Sequence, residues 1–200
     1  MRLAVTVGFD ADLVIRALAG VTARDLILIR GVTGYEGDEK SKDTVAKILK
    51  ALGRGAEFAV DLRNLPNAIR QLYDLSFDAV ALAGGPRVLV VLTFVVAVLR
   101  GSKIFLVPEY SGEVIDISGF SSISTLRSLT KPKLKILALL NVERNVEELA
   151  KELGLDTTTV YRHLQVLEDA GLVKKTGKRG GRYNTDQLTA VIASLILNTG

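Results

Sequence analysis

DAVALAGGPRVLVVLTFVVAVLRGSKIFLV, residues 78–107, decides the fold. Asp78–Ala83 is a short apolar run that reads as a strand, and Gly84-Gly85-Pro86-Arg87 interrupts it. Pro86–Arg100 then reads as a helix and Lys103–Val107 as a second strand. The stretch from Ala79 to Leu99 is the most lipid-like in the chain, but its uninterrupted part, Val88 to Leu99, has 12 residues against the roughly 17–25 that span a bilayer. Two glycines followed by a proline suit a strand-to-helix junction better than a membrane helix. The reading is therefore buried strand, turn, buried helix, buried strand.

The same alternation runs back to the N-terminus. Arg2–Val7 is a β-rich run ending at Gly8, and Ala11 to Leu18 follows with helical spacing. Asp25–Arg30 precedes a helix carrying Val45, Ile48, Leu49 and Leu52, the i, i+3, i+4, i+7 pattern of one buried face. Glu57–Asp61 makes a third strand, Asn64–Asp74 a third helix, and Glu113–Ile117 a short antiparallel edge strand. Strands that alternate with helices and are apolar on both faces indicate a parallel sheet covered on both sides. Residues 1–117 thus read as an α/β, Rossmann-like domain. Ligands of such sheets bind at the carboxyl ends of the strands, which singles out Gly8-Phe9-Asp10 and Gly84-Gly85-Pro86-Arg87. Glycine there permits close backbone approach, and the helices that follow present their N-termini to a ligand. A tight strand-to-helix turn needs glycine for its own geometry too, so both roles stand open.

Residues 118–130 hold five serines, two threonines and a glycine, a composition that suits a linker or a loosely packed helix, and 118–131 is read as the linker. Residues 132–200 form a second domain with three short helical patterns, Lys133–Leu140, Val146–Leu153 and Thr157–Ala170. A hairpin, Gly171–Thr176 with Gly181–Asn184, and a closing helix, Gln187–Leu197, complete it. Helix, turn with Gly154, helix and basic hairpin is the layout of a winged helix-turn-helix. Asp156 is placed to cap the second helix, whose first turn is Thr157-Thr158-Thr159. At about 100° per residue, Val160, Leu164 and Leu167 share one face, and Thr158, Tyr161, Arg162 and Gln165 share the opposite one. The closing helix is apolar at Leu188, Val191, Ile192, Leu195 and Ile196, a face wider than a small domain covers alone, and is read as a dimer helix.

Composition removes whole classes of chemistry. With no cysteine and one histidine, His163, the chain lacks a disulfide framework, a thiol nucleophile, Cys-ligated metal sites and a His-based metal cage. No GxGxxG, Walker lysine motif or GxSxG elbow is present, which argues against NAD, NTP-hydrolysis and esterase sites. The net charge of +4 is unevenly placed: 14 basic residues face 14 acidic ones through Ser118, and 12 face 8 from Gly119 onward. Lys174, Lys175, Lys178, Arg179 and Arg182 put five cations in nine residues with no acid among them. If about five such cations neutralise phosphates in a dimer, log affinity for DNA falls against log salt with a slope near −4.5. The N-terminal segment reaches two aspartates within twelve residues and has no small-residue cleavage site, so a cytoplasmic chain with no membrane partner is expected.

Glu148 to Tyr183 resembles the ArsR/MarR-type winged helix-turn-helix of prokaryotic transcription regulators, in register from TVYRHLQVLEDAGLV through the charged wing to GGRY. The resemblance implies double-stranded DNA, with Thr157, Thr158, Thr159, Tyr161, Arg162 and Gln165 in the major groove and Lys174, Lys175, Lys178, Arg179 and Arg182 on the backbone or minor groove. TVGFD after the first strand and AGGPR after the fourth, joined to that module within 200 residues, resemble the archaeal Csa-type CRISPR regulators. Those proteins pair a CRISPR-associated Rossmann fold (CARF) domain with a winged helix-turn-helix. The resemblance implies a homodimer that regulates CRISPR-Cas or related genes. Its effector would be a cyclic oligoadenylate, cyclic tetra-adenylate above all, at the CARF dimer interface, and no cofactor is implied. The matching ligand positions are Thr6, Gly8, Phe9, Asp10, Gly84, Gly85 and Arg87. Arg87 and backbone N–H groups would hold phosphates, and Asp10 would accept from an adenine amino group or a ribose hydroxyl. No catalytic residue is expected: the HEPN ribonuclease motif of other CARF proteins needs an arginine before its histidine, and residues 156–158 are Asp, Thr and Thr. A ring nuclease that cleaves cyclic oligoadenylate, and a winged-helix repressor sensing an unrelated metabolite, are the alternative readings.

Overall fold

The computed structural model describes residues 1–177 and 181–198, which fall into two compact units, Met1–Ser121 and Ser122–Gly200. In the first unit the chain runs β1 (Arg2–Val7), α1 (Ala11–Gly20), β2 (Asp25–Val32), α2 (Gly37–Leu52), β3 (Ala56–Asp61), α3 (Leu65–Asp74), β4 (Ala79–Leu82), α4 (Arg87–Arg100), β5 (Lys103–Leu106) and β6 (Ile115–Asp116). The strand order is β3-β2-β1-β4-β5-β6. β1 to β5 are parallel, and β6 closes the edge antiparallel to β5.

Period-2 alternation divides the core. Leu3, Val5 and Val7 of β1 pack with Leu13, Val14, Val45 and Ile48 on one side of the sheet, whereas Ala4 joins Ile29, Val60, Leu72, Leu89 and Val96 on the other. β1 sits between β2 and β4, so the connections leave it in opposite directions. This reversal opens a crevice at the carboxyl ends of β1 and β4.

The Ser-rich stretch 118–131 carries helical structure on both sides of the Ser121–Ser122 division between the units. A 3-10 turn, Ser118–Ser122, is tied to the sheet edge, for Ser118 Oγ accepts from Ile104 N at 2.9 Å and Ser121 Oγ donates to Ser102 O at 2.8 Å. Phe120 stands edge-on to Phe94, with ring centroids 5.6 Å apart. Short hydroxyls serve here because they satisfy backbone groups that a sheet edge leaves unpaired.

In the second unit α5 (Ile123–Ser128) contributes the buried Leu126 to a core of Leu134, Ile136, Leu137, Leu149, Val160, Leu164 and Leu167. That core lies between α6 (Lys131–Leu139), α7 (Val146–Leu153), α8 (Thr157–Asp169) and α9 (Gln187–Asn198). β7 (Lys174–Thr176) and β8 (Arg182–Asn184) form the wing, and an isolated bridge joins Arg144 to Tyr183. The helix-turn-helix is closed by Gly154 in the left-handed region, φ +65°, and α7 begins with a reciprocal capping box between Asn145 and Glu148. α9 splits its apolar face: Ile192 and Ile196 pack on the unit's own core, while Val191 and Leu195 remain more than half exposed.

Candidate functional site

A cavity of about 380 Å³ opens at the crevice between β1, β2 and β4. Four loops build it. Gly8, Phe9 and Asp10 follow β1, and Gly84, Gly85 and Pro86 follow β4, the two loops singled out by sequence. Thr33, Tyr35, Gly37 and Asp38 follow β2, and Glu109 follows β5; sequence reasoning missed these. The signal for them is present, since every parallel strand delivers its carboxyl end to the same edge, and three glycines at 31, 34 and 37 mark the β2 loop.

Each expected ligand residue has a definite place. Gly8 and Gly85 meet each other: a Cβ on Gly8 would lie 2.6 Å from Gly85 N, and Gly85 has φ +106°. Close approach here is therefore of loop to loop. Thr6 is fully buried, and its Oγ1 accepts from Ala83 N at 3.0 Å and Gly84 N at 3.3 Å. Thr6 thus fastens the β4 loop from beneath, and it is not among the residues that line the cavity. Asp10 caps α1, with Oδ1 accepting from Asp12 N at 2.8 Å, and also lines the cavity. Phe9 lies at the wall with its ring against Gly37 and is 65% exposed. Arg87 is separated from the cavity; it is exposed at the start of α4 and lines an adjoining depression with Tyr110.

The cavity walls are acidic. Asp38 accepts from Thr33 N, Thr33 Oγ1 and Gly34 N at 2.7–3.0 Å. Burial pushes its pKa up, but those hydrogen bonds, with Arg30 adding positive charge, hold it below the ordinary carboxylate value. Asp10, Asp38 and Glu109 line the cavity, and among the described residues no Lys or Arg does. Among the described residues no group of three or more His, Cys, Asp or Glu is placed to hold a metal, and no helix is long and apolar enough to cross a membrane.

In the second unit Thr157, Thr158, Tyr161, Arg162 and Gln165 are exposed on α8. Thr159 is half-buried, and both its N–H and its hydroxyl go to Asp156, at 2.8 and 2.6 Å. That cap holds the Asp156 carboxyl below its ordinary pKa, chiefly through the Thr159 hydroxyl. On the wing Lys174 is exposed, and Lys175 lies 5.8 Å from the Tyr183 ring centre. Arg182 is exposed and paired with Glu148 at 3.1 Å. Lys178 and Arg179 lie outside the described residues.

Residues 1–118 match the family profile of the Csa3 CRISPR-associated Rossmann-like domain. The chain belongs to the Csa3 family. Residues 131–175 of this Csa3-family chain match the arsR family of bacterial regulatory proteins. The CRISPR locus-related putative DNA-binding protein Csa3 of Thermoproteus tenax is 39% identical over 199 residues, which cover 99% of this chain and 98% of that one. An uncharacterized HTH-type transcriptional regulator of Methanocaldococcus jannaschii is 51% identical over 49 residues, 24% of this chain and 52% of its own. Among solved structures, Can2 from Sulfobacillus thermosulfidooxidans in complex with cyclic tetra-adenylate has a TM-score of 0.44 at 10% identity, over 99% of this chain and 62% of that one. The resemblance read from AGGPR and from the helix-turn-helix is borne out: a CRISPR-associated Rossmann-like domain is joined to an ArsR-type module in one Csa3-family chain.

Proposed function

We propose that this chain is a homodimeric, ligand-responsive transcription regulator of CRISPR-Cas or related genes. It binds double-stranded DNA through α8 and the wing, and its effector is a cyclic oligoadenylate, cyclic tetra-adenylate in particular, held at the carboxyl edge of the Rossmann-like sheet between two protomers. The observation that carries the reading is the presence, in one Csa3-family chain, of a cavity at the strand switch point and of a helix-turn-helix whose outward face is Thr158, Tyr161, Arg162 and Gln165.

The α8 face reads base edges while Lys174 and Lys175 meet phosphates. In the first unit Phe9, Asp10, Gly84 and Gly85 surround the ligand, with Asp10 accepting from it and Arg87 on a phosphate outside the cavity. A dimer reads half-site spacing, so a ligand that favours one dimer geometry changes DNA affinity by its differential affinity for the two. No catalytic residue is assigned. The deciding experiment measures binding to DNA flanking the protein's own gene, by fluorescence anisotropy, with and without saturating cyclic tetra-adenylate. A several-fold change in Kd is expected. Equal Kd values, together with no heat in calorimetric titration, overturn the effector; rapid appearance of linear products replaces the sensor by a ring nuclease.

A further inference from the structure

Three depressions lie side by side along the carboxyl edge of the sheet. The central cavity shares Thr33, Tyr35 and Pro86 with a neighbour of about 310 Å³, whose other walls are Leu62, Arg63 and Val88. On its other side it shares Gly84, Gly85 and Glu109 with the depression that holds Arg87. Among the described residues, carboxylates and no cation line the centre, and one arginine lines each flank, Arg63 there being paired with Asp61. A phosphate in the centre would sit among like charges. A ligand with several phosphates therefore places a base or sugar in the middle and its phosphates toward the flanks.

Arg63 is prepared for that role. It sits in the loop between β3 and α3, and its Nε and Nη2 donate to the two oxygens of Asp61, both at 2.8 Å. The fork fixes the plane of the guanidinium and uses two of its five donors, while the side chain stays 64% exposed. Tyr35, 80% exposed, stands at the wall common to the flank and the central cavity. Its loop is pinned from behind by the Asp38 hydrogen bonds to Thr33 and Gly34. An aromatic face beside a pre-oriented guanidinium is what one nucleotide of an oligonucleotide needs: a stacking platform and a phosphate partner.

We propose that Arg63 and Tyr35 form a second nucleotide subsite, in which the Arg63 guanidinium takes a phosphodiester of the effector and the Tyr35 ring stacks on the adjoining base. This rests on the nucleotide-effector reading above and adds to it a cation and an aromatic ring from loops outside the two expected ones.

Isothermal titration with cyclic tetra-adenylate at low and moderate salt tests it in wild type, Arg63→Gln, Arg63→Lys and Tyr35→Ala. Both side chains are exposed, and thermal unfolding of each variant at the wild-type temperature verifies the fold. Arg63→Gln weakens binding about five- to twenty-fold and makes it less sensitive to salt, by less than an unpaired cation would because Arg63 is shared with Asp61. Arg63→Lys recovers part of the affinity, because an ammonium lacks the fork. Tyr35→Ala weakens binding about three- to ten-fold with the salt slope unchanged. Wild-type binding with all variants within two-fold of it overturns the subsite and leaves the effector reading standing. Absence of wild-type binding to any cyclic oligoadenylate overturns the effector reading and the subsite with it.

Discussion

Gly8 and Gly85 hold the β1 and β4 loops in backbone contact: a Cβ on Gly8 would come within 2.6 Å of Gly85 N, and a Cβ on Gly85 within 2.9 Å of Val7 O. Backbone cannot yield as a flexible side chain does, so one methyl group must push the loops apart. Gly8→Ala is expected to lower stability by about 1–3 kcal/mol and to weaken binding of the proposed effector. Gly112→Ala, where a Cβ meets nothing within 4 Å, leaves both unchanged. Thermal unfolding and calorimetric titration of the two variants check this; wild-type behaviour of Gly8→Ala would remove the loop contact as a determinant of the site.

The wing cations are not equivalent. Lys174 is exposed, whereas Arg182 is engaged by Glu148, which also caps α7 by accepting from Asn145 N at 2.9 Å. If Lys174 meets one phosphate in each protomer of the proposed dimer, Lys174→Gln should reduce the salt slope of DNA binding by about 1.8. Arg182→Gln should reduce it by less, since its charge is already paired. Equal changes in an anisotropy titration across salt would show that DNA takes Arg182 from Glu148.

Asn145 is the cap that starts the helix-turn-helix, its Oδ1 accepting from Glu148 N at 2.8 Å. Asn145→Ala is expected to cost about 1 kcal/mol, seen as an earlier denaturation midpoint. Leu164→Ala, emptying a fully buried position on α8, should cost about 2–5 kcal/mol. A smaller loss for Leu164 than for Asn145 would show that the core collapses around the deletion.

His163 on α8 has its pKa lowered from the usual value near 6.5, first by burial and then by the nearby charge of Lys133. The unfolded chain therefore takes up the proton before the folded one does. The neutral-His contribution to stability is complete above pH 6.5, is lost as pH falls toward the folded pKa, and levels off below it. His163→Gln should lose less stability than wild type between pH 7.5 and 5, by thermal unfolding at both values. Parallel losses would place the pH dependence elsewhere.

Val191 and Leu195 on α9 are 54% and 59% exposed, and Val88, Val91, Val95 and Leu99 form an exposed stripe on α4 at spacings of three, four and four. Apolar stripes of this period suit helix-to-helix contact. In the homodimer proposed above, Leu195→Asp with Val91→Asp is expected to shift sedimentation from dimer to monomer and to weaken DNA binding by tenfold or more. A dimer unchanged by both substitutions would exclude these faces from the interface.

Much of the fold is readable because its signals are local. Arg2–Val7, the Gly84-Gly85-Pro86 break and the Asp156 cap each state their structure within a few residues, and all three elements stand where expected. The hold of Thr6 on the β4 loop is not legible in the sequence because its partners, Ala83 N and Gly84 N, lie 77 and 78 residues away. Tyr35, Asp38, Arg63 and Glu109 escape sequence reasoning for a related reason: no spacing in the chain links them, and only the parallel sheet gathers their loops at one edge. The serines of 118–130 suggest a linker or a loosely packed helix, and composition does not reveal that the hydroxyls of Ser118 and Ser121 satisfy the backbone at a strand edge.

By itself, then, the sequence determined the two-part architecture, the strand switch and the basic character of the second half, because periodicity, glycine and proline punctuation, and charge are carried along the chain. Tertiary structure alone decided which groups face the cavity and which are spent on the fold. Thr6 and Thr159 were drawn into hydrogen bonds with the protein itself, while Arg182 and Arg63 each stayed exposed and entered an ion pair, with Glu148 and Asp61. The physical reason is that a polar side chain's availability depends on what folding places within hydrogen-bonding distance of it, and residue type and spacing do not carry that information.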